Sequence, residues 1–176
     1  MPNLIIARPE STEFDPYYAN YINGVPGDDA FTAMRNQIRE TVQMLQSLPE
    51  SQAAFRYAPD KWSINEVIGH MCDAERIMSY RALRIARADA TPLSGFEQDD
   101  YVKAADFDTR ALASLLEEFQ SIRAATIAFF GSLDETALRR SGTANNAGIS
   151  VRALAYIIAG HERHHVQILR ERYGVK

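Results

Sequence analysis

Residues 150–173 read SVRALAYIIAGHERHHVQILRERY and carry a strong helical signal. Apolar residues and histidines recur there at steps of three and four, which places them along one face of an α-helix. The positions on this face are Val151, Leu154, Ile158, His161, His165, Ile168 and Leu169. Ser150 is a favourable N-cap residue, and Gly174 follows as a C-cap glycine. The stretch therefore predicts an amphipathic helix with two histidines on its buried face.

Three earlier segments show the same periodicity and predict helices over 28–48, 63–88 and 108–131. The second begins with the capping box Ser63-x-x-Glu66, and we expect the third to begin at Asp108 and end at Gly131. No segment shows the alternation that is typical of strands. Four long amphipathic helices favour an all-α fold, a four-helix bundle.

The connections between these helices are long. The predicted bounds leave about 14, 19 and 18 residues, whereas helix connections in bundles usually take about 2–8. Residues 89–107, DATPLSGFEQDDYVKAADF, are long enough to cross the length of a helix, so we expect long crossover connections. Segment 1–27 contains Tyr17, Tyr18 and Tyr21 and is too aromatic for a free tail. We expect it to pack on the bundle within a single domain, 1–176.

Composition excludes several classes of protein. The 176 residues include 19 Lys and Arg against 23 Asp and Glu, and a net charge of −4 argues against nucleic-acid binding. Cys72 is the single cysteine, so neither an internal disulfide nor a Cys-rich zinc site is available. No leader pattern and no apolar run of membrane-spanning length occurs. We therefore expect a soluble cytoplasmic protein with no membrane partner.

The four histidines are unevenly distributed, since three lie within residues 161–165. His161 and His165 are four residues apart and stack about 6 Å apart on one helix face. His70 lies near the inward face of the second predicted helix, so all three converge if the two helices are neighbours. Neutral imidazole suits Zn, Ni or Fe, and three protein ligands leave a coordination position open for substrate. The spacing predicts a divalent-metal site at His70, His161 and His165.

Other interpretations of these residues stay open. A histidine on an apolar face is often a core residue with one hydrogen bond. His164 lies about 60° around the helix from His165, so we place it on the flank of the site. His161 to His165 also matches the H-E-x-x-H metalloprotease motif. Ile168 stands where a metzincin needs its turn glycine, and no strand is predicted that would hold a peptide. We therefore expect Glu162 to be solvated.

Side chains near the histidines have two interpretations each. Asp73 either orients a ligand imidazole or pairs with Arg76, and the pairing is favoured. Trp62 is expected to be a packing anchor, and Cys72 a small core residue. For a set of three arginines at three-residue steps, a solvated or loop-pairing role is favoured over carboxylate binding; these are Arg81, Arg84 and Arg87. Loop residues that either fold over the site or cap or pair locally, with the local role favoured, are Asp99, Asp100 and Tyr101. Expected turn residues are Asn145 and Asn146.

Several motifs together resemble the DinB-like superfamily of metal-binding four-helix bundles. They are KWSINEVIGH at 61–70, DAER at 73–76, YRAL at 80–83, SVRAL at 150–154 and GHERHH at 160–165. The resemblance spans about residues 17–173. It implies a bundle with crossover loops, a homodimer, and a divalent metal on His70, His161 and His165. Characterised members include transferases and a maleylpyruvate isomerase that use bacillithiol, mycothiol or glutathione.

The resemblance implies an enzyme that acts on a small molecule. A metal with an open coordination position would activate a low-molecular-weight thiol, which then attacks an electrophilic substrate. Two alternatives remain at this point. One is a non-catalytic, metal-stabilised dimeric interaction module, and the other is a metal-dependent hydrolase.

Overall fold

The computed structural model describes residues 5–176. Seven α-helices occur in this part of the chain: α1 Ala19–Gly24, α2 Ala30–Gln46, α3 Ile64–Ala86, α4 Gln98–Ala105, α5 Leu112–Gly131, α6 Glu135–Arg139 and α7 Val151–Tyr173. Two strands, β1 Ser141–Ala144 and β2 Ala147–Ser150, lie between α6 and α7. The long helices α2, α3, α5 and α7 correspond to the four predicted helices, and the all-α prediction is confirmed.

The four long helices are not arranged in chain order. Helix α2 packs against α5 and α7, and α3 packs against the same two helices. Consecutive helices α2 and α3 therefore lie diagonally across the bundle, and the segment 47–63 crosses it. This arrangement makes α3 a neighbour of α7, which was the condition for the predicted histidines to meet.

The interior consists of two apolar cores with a polar layer between them. One core contains the second half of α3 and the first part of α7, from Met78 to Ala86 and from Val151 to Ala159. The other contains the first part of α3, from Ile64 to Cys72, and Leu169 near the end of α7. Charged residues and the histidines lie between these cores. The apolar residues of the two cores therefore lie outside the polar layer.

The helix ends follow the predicted signals, with one exception. Ser63 and Glu66 form a complete capping box at the start of α3, and Ser150 accepts a hydrogen bond from the Ala153 amide at 3.1 Å. Asp108 was wrongly predicted to cap α5, which begins four residues later at Leu112. Asp108 instead accepts hydrogen bonds from the Ser63 hydroxyl and from Arg56. Asp108 therefore joins the start of α3 to the loop before α5.

The prediction that the chain has no strands was wrong. β1 and β2 form an antiparallel hairpin in which Ser141 pairs with Ser150 and Ala144 with Ala147. Asn145 and Asn146 form its two-residue turn with φ of 51° and 62°, so their prediction as turn residues is confirmed. Positive φ at both positions is typical of a type I′ turn, which asparagine tolerates. The strands are four residues long and rich in Ser, Gly and Ala, so they lack an apolar alternation.

The N-terminal segment packs on the bundle as far as it is described, and the first four residues of the 1–27 prediction lie outside the described residues. Ile6 is fully buried. Arg8 donates hydrogen bonds to backbone carbonyls near the end of α1, including that of Ile22 at 2.6 Å. A Cβ on Gly160 would lie 2.1 Å from the Tyr21 carbonyl oxygen, so α1 approaches α7 closely where α7 lacks a side chain.

Within residues 5–176, no helix is both long and apolar enough to cross a membrane.

Candidate metal centre

Three imidazoles meet in the polar layer between α3 and α7. His161 Nε2 lies 3.0 Å from His70 Nε2 and 3.1 Å from His165 Nε2. One nitrogen from each of the three rings lies within 4.8 Å of the other two. The structure thus brings together the residues that the sequence singled out. The spacing of His161 and His165 along α7 and the neighbouring position of α3 account for this convergence.

Hydrogen bonding between the rings does not satisfy this cluster. A ring nitrogen of neutral histidine carries either one proton or one lone pair, so His161 Nε2 makes one such bond and not two. Three ligand nitrogens at about 2.1 Å from one ion would lie about 3.0–3.4 Å apart for tetrahedral or octahedral angles. The observed 3.0 and 3.1 Å separations match that arrangement. The donor set therefore fits one divalent ion.

The protein environment keeps the three rings neutral. Burial lowers the pKa of His70 to about 4, and the charge of His164 adds to this. Burial, with the other imidazoles, lowers the pKa of His161 and of His165 well below 6.5. At neutral pH each ring therefore holds a lone pair without competition from a proton, which divalent-metal binding requires.

Aromatic rings enclose the cluster on two sides. The Trp62 ring lies 4.7 Å from the His70 ring, between centroids, so this predicted packing anchor also contacts the site. From the other side, the Tyr21 ring lies 5.6 Å from that of His161 and 5.3 Å from that of His164. His164 is exposed and does not belong to the converging group, which agrees with its predicted place on the flank.

A buried ion cluster lies in the same layer. Arg123 on α5 donates two hydrogen bonds of 2.8 Å to Glu75 on α3 and one of 2.6 Å to Glu162 on α7. From α2, the Thr41 hydroxyl donates to Glu162 at 2.7 Å, and the Met34 carbonyl accepts from Arg123 at 3.1 Å. The cluster thus connects all four long helices, and its formal charge is −1.

The prediction that Glu162 is solvated was wrong, since only 1% of it is exposed. Arg123 reaches it across the bundle, and this partner was missed in the sequence. A signal was present, because Arg123 follows the buried Phe119 by one helical turn on an otherwise apolar face. Burial raises the pKa of Glu162, and the charge of Arg123 opposes that rise. Because both Glu162 oxygens have partners, the H-E-x-x-H motif lacks its metalloprotease base here.

Nearby ion pairs follow the favoured predictions. Arg76 lies 3.8 Å from Asp73, so the pairing predicted for Asp73 is confirmed. Arg84 pairs with Asp89 in the following loop, as a loop-pairing arginine should. Cys72 is fully buried, which confirms a core role, and burial raises the pKa of its thiol.

A cavity of about 280 Å³ opens beside the histidines. His70 and His161 line it together with Arg81, and Asp99 contributes from the long loop. The N-terminal segment supplies three tyrosines to its wall, Tyr17, Tyr18 and Tyr21. Asp99 was expected to cap or pair locally, and its position favours the other interpretation, in which the loop folds over the site.

Comparisons with known proteins agree with this geometry. A family model of the DinB superfamily matches residues 33–169, which include all three histidines. The chain belongs to the DinB superfamily. No curated protein sequence matches this DinB-superfamily chain.

Two solved structures have a similar fold. YfiT from Bacillus subtilis, described as a probable metal-dependent hydrolase with an unusual four-helix bundle topology, is 14% identical with a TM-score of 0.74. That similarity covers 96% of this chain and 94% of YfiT. The mycothiol-dependent maleylpyruvate isomerase is 13% identical with a TM-score of 0.65, covering 78% of this chain and 58% of the isomerase. At these identities the similarity shows the fold alone.

Proposed function

We propose that this chain is a divalent-metal-dependent enzyme that activates a low-molecular-weight thiol for attack on an electrophilic small molecule. One observation carries the proposal: nitrogens of three neutral imidazoles converge, and two of those rings, His70 and His161, line a cavity of about 280 Å³. A closed structural site would use a fourth protein ligand, whereas three ligands leave room for a reactant. The related fold of a thiol-dependent isomerase supports this choice.

The chain's own residues account for binding, orientation and partial exclusion of water. His70, His161 and His165 fit a divalent ion, which, when bound, would lower the pKa of a coordinated thiol or water. Trp62 and Tyr21 shield the imidazoles from solvent on two sides. Glu162 remains held by Arg123, so proton transfer falls to solvent at the cavity mouth.

The proposal is tested on tag-free protein with glutathione, bacillithiol and mycothiol against chlorodinitrobenzene. In this reaction a carbon–sulfur bond forms, chloride leaves, and the thiol proton passes to solvent. We expect a metal-dependent rate with at least one thiol, lost in His161→Ala and retained in the control His164→Ala. A complete set of thiols without any metal-dependent rate would overturn thiol transfer.

Metal-dependent hydrolysis is the second candidate, favoured by the nearly full-length similarity to YfiT. The same three histidines would then serve a bound water. Nitrophenyl esters and amides assayed without any thiol separate the two functions. Metal-dependent release of nitrophenol that a thiol does not accelerate would favour the hydrolase.

A non-catalytic dimeric module is the remaining alternative. Between α3 and α5 an apolar groove, which we call the α3–α5 groove, is lined by residues that include Tyr80, Leu83, Ile122 and Phe129. Light scattering combined with gel filtration measures whether the chain is a homodimer. A metal-containing dimer that lacks activity with both substrate panels would favour this role.

The proposal of a thiol-dependent enzyme also includes a cytoplasmic location, where low-molecular-weight thiols remain reduced.

A further inference from the structure

Arg81 is a buried cation without a counter-ion among residues 5–176. Only 3% of it is exposed, and no carboxylate of the described chain lies within 4 Å of its guanidinium nitrogens. Its Nη2 donates to the Ser94 carbonyl at 2.7 Å, and its Nη1 lies 3.6 Å from the Met78 sulfur. Other buried or half-buried arginines of the chain, such as Arg123 and Arg152, do pair with glutamates.

Such a charge calls for an anionic partner from outside the chain. Transferring an unpaired cation from water into the interior costs several kcal/mol, and the neutral partners here, the Ser94 carbonyl and the Phe96 ring at 6.0 Å from the Arg81 Cζ, offset only part of that. Burial keeps the pKa of the neighbouring Tyr18 above 10 even though the charge of Arg81 opposes this. That phenol is therefore neutral at neutral pH and supplies no negative charge.

The position of Arg81 points into the candidate site. His70, Ala74, Met78 and Arg81 follow one another at three- and four-residue steps along one face of α3. All four line the cavity of about 280 Å³ beside the histidines. An anion that pairs with Arg81 therefore occupies the same cavity as a molecule that reaches the histidines.

We propose that Arg81 is the binding subsite for a carboxylate of the small molecule that reacts at His70, His161 and His165. This inference rests on the proposed function. The guanidinium matches a carboxylate with two parallel hydrogen bonds. Glu97 and Asp99 are exposed at the same cavity, and their charges disfavour a more highly charged phosphate.

The helix geometry limits which carboxylates fit. His70 and Arg81 are eleven residues apart, so their Cα atoms are separated by about 16 Å along the helix axis. The contact with Met78 shows that the arginine side chain reaches back towards the histidines by one turn. The carboxylate and the reacting atom must then be several bonds apart. This selects a thiol of the size of glutathione, or an electrophile with a remote carboxylate, over a simple α-carboxylate.

Calorimetric titration of the zinc-free 176-residue chain with succinate and with succinamide tests the subsite. The two probes have similar shapes and differ in charge, and the lack of zinc removes direct metal binding. We expect succinate to bind at least about tenfold more tightly, because a charge-assisted bidentate pair contributes that much. Equal affinity of the wild-type chain for both probes would overturn the proposal, as would tighter binding of inorganic phosphate.

Variants locate the effect on the chain. Arg81→Gln should abolish the preference for succinate, and Arg81→Lys, which keeps the charge but not the fork, should weaken it. The matched control Arg84→Gln lies one turn further along α3, pairs with Asp89, and should keep the preference. An unchanged preference in a folded Arg81→Lys protein would contradict the bidentate subsite if Arg81→Gln does not fold.

A further comparison identifies the carboxylate's source. Zinc-loaded protein is titrated with glutathione and with glutathione diethyl ester, with and without succinate. If glutathione binds more tightly than its diethyl ester, if this preference depends on Arg81, and if succinate displaces glutathione, the carboxylate belongs to the thiol. If glutathione and succinate bind at the same time, the carboxylate belongs to the electrophile. If the chain binds succinate but does not bind zinc, the proposed function is contradicted and the carboxylate subsite is not. If activity depends on zinc but succinate binding does not depend on Arg81, the carboxylate subsite is contradicted and the proposed function is not.

Discussion

At the scale of single residues, the polar layer depends on charges that are buried with their partners. Arg123 is 1% exposed, and its ion pairs with Glu75 and Glu162 are shielded from solvent. Burial lowers the pKa of Arg123, but the charges of Glu162 and Glu75 outweigh it and hold that pKa above its usual value. Removing the arginine would leave two carboxylates in the interior without a cation.

The first prediction concerns this cluster. Arg123→Met should lower the free energy of unfolding at pH 7 by about 3–5 kcal/mol, the usual cost of breaking a buried pair. Without the cation, the folded-state pKa of Glu162, which burial already raises above 4.5, should rise further. The folded variant would then bind more protons than the unfolded chain. Its loss of unfolding free energy relative to the wild type should therefore grow as pH rises above 4.5. Urea unfolding from pH 5 to 8 measures this.

The matched control for that variant is Arg139→Met. Arg139 forms an exposed pair with Glu135, where both side chains are about 60% exposed, so its loss should change stability little. Equal unfolding free energies for the two variants would contradict the account of the buried cluster.

The spacing of residues in the sequence predicted the candidate metal ligands, but it did not predict that Arg123 pairs with Glu162. His161 and His165 are visible because four-residue spacing on an apolar face is a local pattern. The pairing of Glu162 with Arg123 joins residues 39 positions apart on different helices. A local sequence pattern covers only a few positions and does not show a contact between residues so far apart. Glu162 was therefore predicted to be solvated.

At the scale of elements, the N-terminal segment forms one wall of the site, and its contacts with α7 include a close backbone approach and an ion pair. The close approach is that of α1 at Gly160, and the ion pair joins Glu13 to Arg152 at the start of α7. Both contacts position Tyr21 beside His161. The segment is therefore expected to affect the site as well as stability.

The second prediction concerns Gly160. In Gly160→Ala the new methyl group meets the Tyr21 backbone, which yields less easily than a side chain, so we expect a loss of about 1–3 kcal/mol. The displaced α1 should also expose His161 to solvent. Gly24→Ala is the control, because its Cβ would meet nothing within 4 Å. Urea unfolding that shows equal losses for both variants would contradict a close approach of α1 to α7.

The third prediction concerns Glu13. Burial opposes ionisation, but hydrogen bonds that begin with the one from Arg152 lower the pKa of Glu13 to about 2. This stabilisation is complete above the unfolded-state pKa of 4.5 and is lost as pH falls towards 2. Glu13→Gln should therefore cost about 1–2 kcal/mol at pH 7, and the difference from wild type should shrink between pH 4.5 and pH 3. A difference that stays constant with pH would exclude this ion pair as the cause.

Elements with strong local signals were predictable, whereas those defined by distant contacts were not. Ser63 with Glu66 and Ser150 mark helix starts through their own backbone neighbours, so the sequence located them. The hairpin β1–β2 pairs residues without apolar alternation, and only its Asn-Asn turn was visible. Asp108 took distant partners in place of the helix end, which local capping rules do not describe.

At the scale of the whole molecule, two apolar cores lie on either side of the layer that holds the candidate metal site. The diagonal placement of α2 and α3 is what makes α3 and α7 neighbours there. Helix periodicity predicted four helices but not their order around the bundle. The order of the helices depends on the paths that the long loops take across the bundle, and loop length alone does not select one path.

The fourth prediction follows from the two cores. Chelation of the metal should leave the helical circular dichroism unchanged, because neither apolar core includes a candidate metal ligand. Zinc at 100 times its dissociation constant should add about 2.7 kcal/mol, which raises the melting temperature by roughly 5–10 °C for a chain of this size. Calorimetry with and without a chelator measures both effects. Unfolding on chelation would indicate a purely structural metal and contradict this account.

X-ray absorption of the tag-free protein loaded with one equivalent of zinc shows whether His70, His161 and His165 hold one ion together. We expect one ion per chain with three imidazole nitrogens at about 2.0–2.1 Å, and the loss of one of them in His70→Ala. The control His164→Ala should give the wild-type spectrum. Less than about 0.2 zinc per folded chain, or an identical spectrum in His70→Ala, would contradict one ion held by these three histidines.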